Sequence, residues 1–142
     1  MKLTGAPDAL FVKADESLVV GDYKTAKYTE GQEELLPVYE TQLNAYALVA
    51  QRRAMGSVSG LALIYAEPVT TELAAASDEA HTSGGFRMEF SVRVLNVVPR
   101  LEEVSGLLSR ARRILELERA PAGRDGCRDC ERLEGLLRVA GH

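Results

Sequence analysis

Asp8, Asp22 and Lys24 are the residues of this chain whose types and spacing could do chemistry, with Gln42 and Tyr46 placed to help them. The runs DALFVK (8–13) and SLVVGDYK (17–24) flank Ala14, Asp15 and Glu16. Apolar, β-prone runs around a short polar connection predict a β-hairpin. A three-residue connection pairs Lys13 with Ser17, and counting outward sets Asp8 opposite Asp22. Directly opposed Cβ atoms lie about 4.5–5.5 Å apart. Two carboxylates at that separation repel, and a divalent cation between them reverses the sign. Mg²⁺ and Mn²⁺ take oxygen ligands, often one or two carboxylates completed by water and phosphate. Lys24 lies two residues beyond Asp22 and shares its face of the strand. From there it could orient or activate an attacking water, or stabilise charge on a phosphate. The pairing depends on register, because a one-residue slip turns every side chain to the other face. Asp22 and Lys24 alone would read as a solvated ion pair; Asp8 and the pair on the following helix shift the reading to a site. Gln42 and Tyr46 are four apart on one helical face, so an amide and a phenol both reach a ligand lying across it.

Those residues need elements to hold them. After the hairpin, Thr25 to Glu34 is polar and reads as a loop. Glu34 to Met55 predicts a helix, with Leu35, Tyr39, Leu43, Tyr46 and Ala50 on one face, Pro37 in the first turn and Gly56 after the end. Residues 58–66 predict a mostly buried strand. Glu67 to Gly85 reads as a loop with a short helix at 71–76. Residues 86–94 alternate: Phe86, Met88, Phe90, Val92 and Val94 face one way, and Arg87, Glu89, Ser91 and Arg93 the other. That predicts a half-exposed antiparallel strand near an edge. Pro99 to Arg119 predicts a second long helix with Leu101, Val104, Leu108, Ala111 and Leu115 on its apolar face. The order β-β-α-β-β-α implies an α/β fold, a central mixed β-sheet flanked by helices. Residues 1–120 would form one domain and 121–142 a C-terminal tail closing with a short helix.

Other reactive side chains invite plainer readings. Arg110, Arg112, Arg113 and Arg119 suit a solvated helix C-terminus. His81 sits in a polar loop and His142 is terminal. Cys127 and Cys130 form a C-x-x-C pair, too few thiols for a disulfide framework.

With 142 residues the chain is long enough for one domain with a real core. Its net charge of −4 lacks the broad basic footprint of a stand-alone nucleic-acid binder. An enzyme touching phosphates locally, with a metal supplying positive charge, remains compatible. No apolar run approaches the length of a membrane span, and the first residues lack the regions of a signal peptide. A cytoplasmic protein with no membrane partner is expected.

Three segments carry a resemblance. GAPD (Gly5–Asp8), DYKT (Asp22–Thr25) and QLNAY (Gln42–Tyr46) are similar to the G-x-x-D, D/E-x-K and Q-x-x-x-Y motifs of the PD-(D/E)XK nuclease superfamily, RecB-like branch, in order and at similar distances. Each motif alone is weak; ordered together they are a strong signal. The resemblance implies a restriction-endonuclease-like core with Mg²⁺ or Mn²⁺ held by Asp8, Asp22 and the Tyr23 carbonyl. It makes Asp8, Asp22 and Lys24 catalytic, and gives Gln42 and Tyr46 the binding of the nucleic-acid strand. The implied reaction is metal-assisted hydrolysis of DNA phosphodiesters, in which the metal generates hydroxide and neutralises developing charge. Exonucleolytic action in repair, recombination or defence follows by analogy.

Two departures qualify that picture. Family members usually place an acid or histidine on a helix before G-x-x-D, and here four residues precede Gly5. A nuclease-like domain with an incomplete site, acting as a binding or scaffolding module in a DNA-processing complex, is the rival reading. Some RecB-like proteins hold an iron–sulfur cluster on four cysteines; two thiolates do not suffice, so no cluster is expected. The 86–94 edge could pair with a second copy, making a homodimer a further expectation.

Overall fold

The structure is a computed structural model and describes residues 2–28 and 35–141. Residues 29–34 of the expected loop, the expected helix start at Glu34, and His142 lie outside the described residues. The chain divides into two units, Met1–Ser105 and Gly106–His142.

The first unit opens with the hairpin of β1 (Ala9–Val12) and β2 (Leu18–Lys24). Lys13 and Ser17 face each other as the three-residue count predicts, the Lys13 N–H donating to the Ser17 carbonyl at 2.8 Å. Glu16 takes a left-handed φ of 63°, the conformation a three-residue hairpin loop requires. Asp15 accepts from the Ser17 N–H at 3.0 Å and closes the turn.

Helix α1 (Leu36–Arg52) follows, with Pro37 in its first turn. It is shorter than the expected 34–55 at both described ends, and Leu35 is an exposed flanking residue. The chain then enters β3 (Val58–Pro68), which lies parallel to β2. A short helix α2 (Glu72–Ala75) is capped by Thr71, whose hydroxyl accepts from the Ala74 N–H. A 3₁₀ turn (Asp78–Ala80) leads into a two-stranded ladder of β4 (His81–Thr82) and β5 (Gly85–Phe86). Strand β6 (Phe90–Val97) then pairs antiparallel with β3. The order β1-β2-β3-β6 makes a mixed four-stranded sheet with β1 and β6 at its edges.

The expected 86–94 strand is thus antiparallel and at an edge, but shifted and split. The Arg87 N–H bonds to the Ala80 carbonyl, whereas the Val69 N–H bonds to the Glu89 carbonyl. The segment changes hydrogen-bond partners at 87–89, which ends one ladder before the next begins. Its apolar residues Phe90, Val92 and Val94 are exposed. They lie on the face opposite α1, which packs over β2 and β3.

The core lies between α1 and the other face of the sheet: Val20, Leu61, Leu63, Tyr65 and Val97 from strands, Leu43 and Ala47 from the helix. Burial of each large side chain contributes about 1.5–3 kcal/mol. Ala47 gives the helix close approach to the sheet. Asn44, also buried on α1, accepts from the Arg100 N–H and donates to the Glu40 carbonyl. It ties α1 to the start of α3 (Leu101–Leu115), whose Val104 is buried.

The second unit holds the rest of α3 and helix α4 (Arg128–Ala140). The predicted tail helix is therefore 13 residues long, capped by the Cys127 side chain and ended by Gly141 at φ 76°.

Candidate active site

Parallel strands β2 and β3 run side by side, and their C-terminal ends form one rim of the sheet. Ligands of open α/β sheets favour that rim. Asp22 and Lys24 project there from the last turn of the β2 pleat, on the face that α1 covers. Asp22 is 3% exposed. The Lys24 ammonium lies 2.5 Å from its Oδ2 and 4.2 Å from the centroid of the Tyr39 ring. Desolvation, the largest influence on Lys24, lowers its pKa. The contact with Asp22 and that residue's charge, with smaller contributions from Tyr39 and Asp8, more than offset it and leave the pKa raised. Lys24 is a cation in this arrangement.

The hairpin ladder ends with Ala9 against Gly21. Asp8 is one step outward, facing Asp22 in register and already off the ladder. Its Oδ2 accepts from the Tyr23 N–H at 2.8 Å, so the carboxylate is held at the strand end. The Tyr23 ring is half-exposed on the other face.

Helix α1 brings the remaining pair. Gln42 Nε2 donates to Tyr46 Oη at 2.8 Å and lies 3.3 Å from Asp22 Oδ1. Gly5 completes the set from the N-terminal side. A Cβ there would sit 2.6 Å from Tyr46 Cε1. Only a residue without a side chain lets the backbone lie on that ring. The three sequence segments therefore interlock: Gly5 on Tyr46, Tyr46 on Gln42, Gln42 on Asp22, and Asp8 on the backbone beside Asp22.

Asp22 Oδ2 is buried, and its close polar neighbour is the Lys24 ammonium at 2.5 Å. A buried carboxylate with a second carboxylate held beside its strand fits a hard divalent cation. Among the described residues no three His, Cys, Asp or Glu side chains cluster as a metal site. The donors at hand are thus two carboxylates and backbone oxygen.

Tyr39, Tyr28, Glu67 and Arg93 also line this rim. Tyr39 had a visible signal, being three residues before Gln42 on the same helical face. Tyr28, Glu67 and Arg93 had none, because only strand register brings them together. Arg93, on the polar side of its strand's alternation, lies on the α1 side of the sheet, directly opposite Tyr65.

Cys127 and Cys130 belong to the second unit. Both are free, and the Cys130 thiol lies 2.7 Å from Cys127 Sγ. That hydrogen bond, with the Cys130 N–H, pulls the Cys127 pKa down; donating it pushes the Cys130 pKa up. Iodoacetamide at neutral pH should therefore label Cys127 before Cys130. Peptide mass mapping reads the order, and equal rates would refute it.

The mixed sheet with α1 across one face, and two acids and a lysine at its rim, is a restriction-endonuclease-like core. The model of the PD-(D/E)XK nuclease superfamily matches residues 1–134, and the chain belongs to that superfamily. No curated protein and no solved structure matches the chain. Membership points to a nuclease, in a superfamily whose members generally use divalent metals. No helix among the described residues is long and apolar enough to cross a membrane.

Proposed function

We propose that the chain is a Mg²⁺- or Mn²⁺-dependent nuclease that hydrolyses DNA phosphodiester bonds. The observation that carries this reading is the buried Asp22 carboxylate paired with Lys24, with Asp8 bonded to the Tyr23 N–H one step beyond the Ala9–Gly21 pair. Asp8, Asp22 and the Tyr23 carbonyl would hold the ion. Such an ion polarises the phosphodiester and makes water a better nucleophile at neutral pH. The chain's own groups do the rest. Gln42 orients the Asp22 carboxylate with one N–H and holds Tyr46 with the other, and the Tyr46 hydroxyl keeps its own O–H as a donor for the substrate strand. Lys24 presents a fixed positive charge to the phosphate, where negative charge grows in the transition state. Tyr39 holds the ammonium against its ring face.

The test has two readouts. Wild-type protein should cut DNA with Mn²⁺ and not with chelator. Mn²⁺ should also stabilise the fold by mass action, by about 2.7 kcal/mol at a concentration one hundred times Kd, and so raise its melting midpoint. Asp22→Ala should lose both effects. A wild-type protein with neither response overturns the reading. A closed-circular substrate left intact beside a degraded linear one supports exonucleolytic cleavage, the RecB-like expectation; nicking of the circle refutes it.

A further inference from the structure

We propose that Arg93 is a second cationic grip on the substrate backbone, clamped by Glu67 and Tyr28 beside the Lys24 site. The inference rests on the nuclease reading and names a residue that none of its motifs includes.

Strand register supplies the placement. Lys24 pairs with Tyr65 across β2 and β3, and Tyr65 pairs with Arg93 across β3 and β6. Directly paired residues share a face, so the two cations stand in one row with Tyr65 between them. Two strand spacings separate their backbones, about 10 Å. A few nucleotides cover that distance, at about 3.4 Å of rise each.

The guanidinium is positioned rather than loose. Its Nε donates to Glu67 Oε1 at 3.2 Å, and its Cζ lies 5.3 Å from the Tyr28 ring centroid. The ring is fixed in turn by an edge contact with Tyr65 at 5.4 Å, and the Tyr28 N–H lies 3.3 Å from Glu67 Oε1. Glu67 is 13% exposed, whereas the Arg93 side chain is 55% exposed. The tether uses Nε alone. Among the described residues the two Nη groups have no protein partner, so the fork that suits a phosphate remains outward. An ion pair serving stability alone has no need of a stacked, pre-oriented guanidinium with its paired donors facing solvent. The chain is acidic overall, net −4, so a local cation at the rim is where backbone affinity must come from.

Fluorescence anisotropy of a labelled oligodeoxynucleotide, with Ca²⁺ replacing Mn²⁺ to suppress cleavage, reads the grip directly. Arg93→Ala should weaken binding about tenfold, for every sequence tried, and lower the salt slope by about one. With Mn²⁺ the same variant should raise KM and leave kcat near wild type. Arg93→Lys should recover part of the affinity, and Glu67→Leu, which removes the acceptor of the Arg93 Nε–H, should lose part by freeing the guanidinium. Unchanged binding in Arg93→Ala overturns the proposal, as does a lower melting midpoint with no change in Kd or salt slope. Wild-type protein that does not bind DNA overturns it too. Wild-type protein that binds through Arg93 but never cleaves would support the grip and defeat the nuclease reading.

Discussion

Lys24→Met should lower the turnover of DNA hydrolysis by about 10²–10³-fold, the usual cost of removing one pre-oriented charge or donor from a developing anion. Methionine keeps the length and apolar body of the side chain and removes only the charge. The ammonium is held from two sides, by Asp22 at 2.5 Å and by the Tyr39 ring at 4.2 Å, so it arrives at the phosphate without reorganisation. Such a charge acts more on the transition state than on the bound substrate, so kcat should fall and KM should stay. Removing it also leaves the 3%-exposed Asp22 without its counter-charge. The variant should then still gain thermal stability from Mn²⁺. That retained response separates a lost catalytic charge from a lost metal site. A variant with wild-type turnover overturns the role; one that loses the Mn²⁺ response shows that Lys24 builds the metal site instead.

The parts of this site that were legible in the sequence are those set by local rules. Ala9 pairs with Gly21, and Asp8 lies one step beyond with its carboxylate on the Tyr23 N–H, because the connection 14–16 is three residues long and loop length selects hairpin register. Gln42 meets Tyr46 because they are one helical turn apart. Arg93 illustrates the opposite case. Its neighbours Tyr28 and Glu67 come from other elements, and only the β3–β6 register brings them to it. Alternation along 86–94 disclosed two faces but not which one meets α1, nor that the chain changes partners at 87–89. It also could not disclose that Phe90, Val92 and Val94 would be exposed, because periodicity reports that a face is apolar and not what covers it.

Asn44 had no sequence signal either, and it bears the second large expected effect. A polar residue on a helix next to Leu43 reads as surface, yet it is 5% exposed. Its Oδ1 lies 2.5 Å from the Arg100 nitrogen and its Nδ2 donates to the Glu40 carbonyl at 2.9 Å. The amide thus serves two helices at once: it satisfies its own helix and fixes where α3 begins. Asn44→Ala removes the acceptor and strands the Arg100 N–H. An unpaired buried donor costs about 1–3 kcal/mol, and with Arg100 itself exposed and the bond half-buried the loss falls at the lower end of that range. For a chain of this size that lowers the melting midpoint by about 4 °C per kcal/mol. Native-state hydrogen exchange localises the effect. The Arg100 amide should lose its protection in the variant through local opening, while the amide of the core residue Leu63 continues to report global unfolding. If Arg100 exchanges no faster in Asn44→Ala than in wild type, the Asn44 side chain is not what holds it. If it does, a single buried amide sets the junction between the helix that carries Gln42 and Tyr46 and the helix that follows the sheet, and the geometry of the rim depends on it.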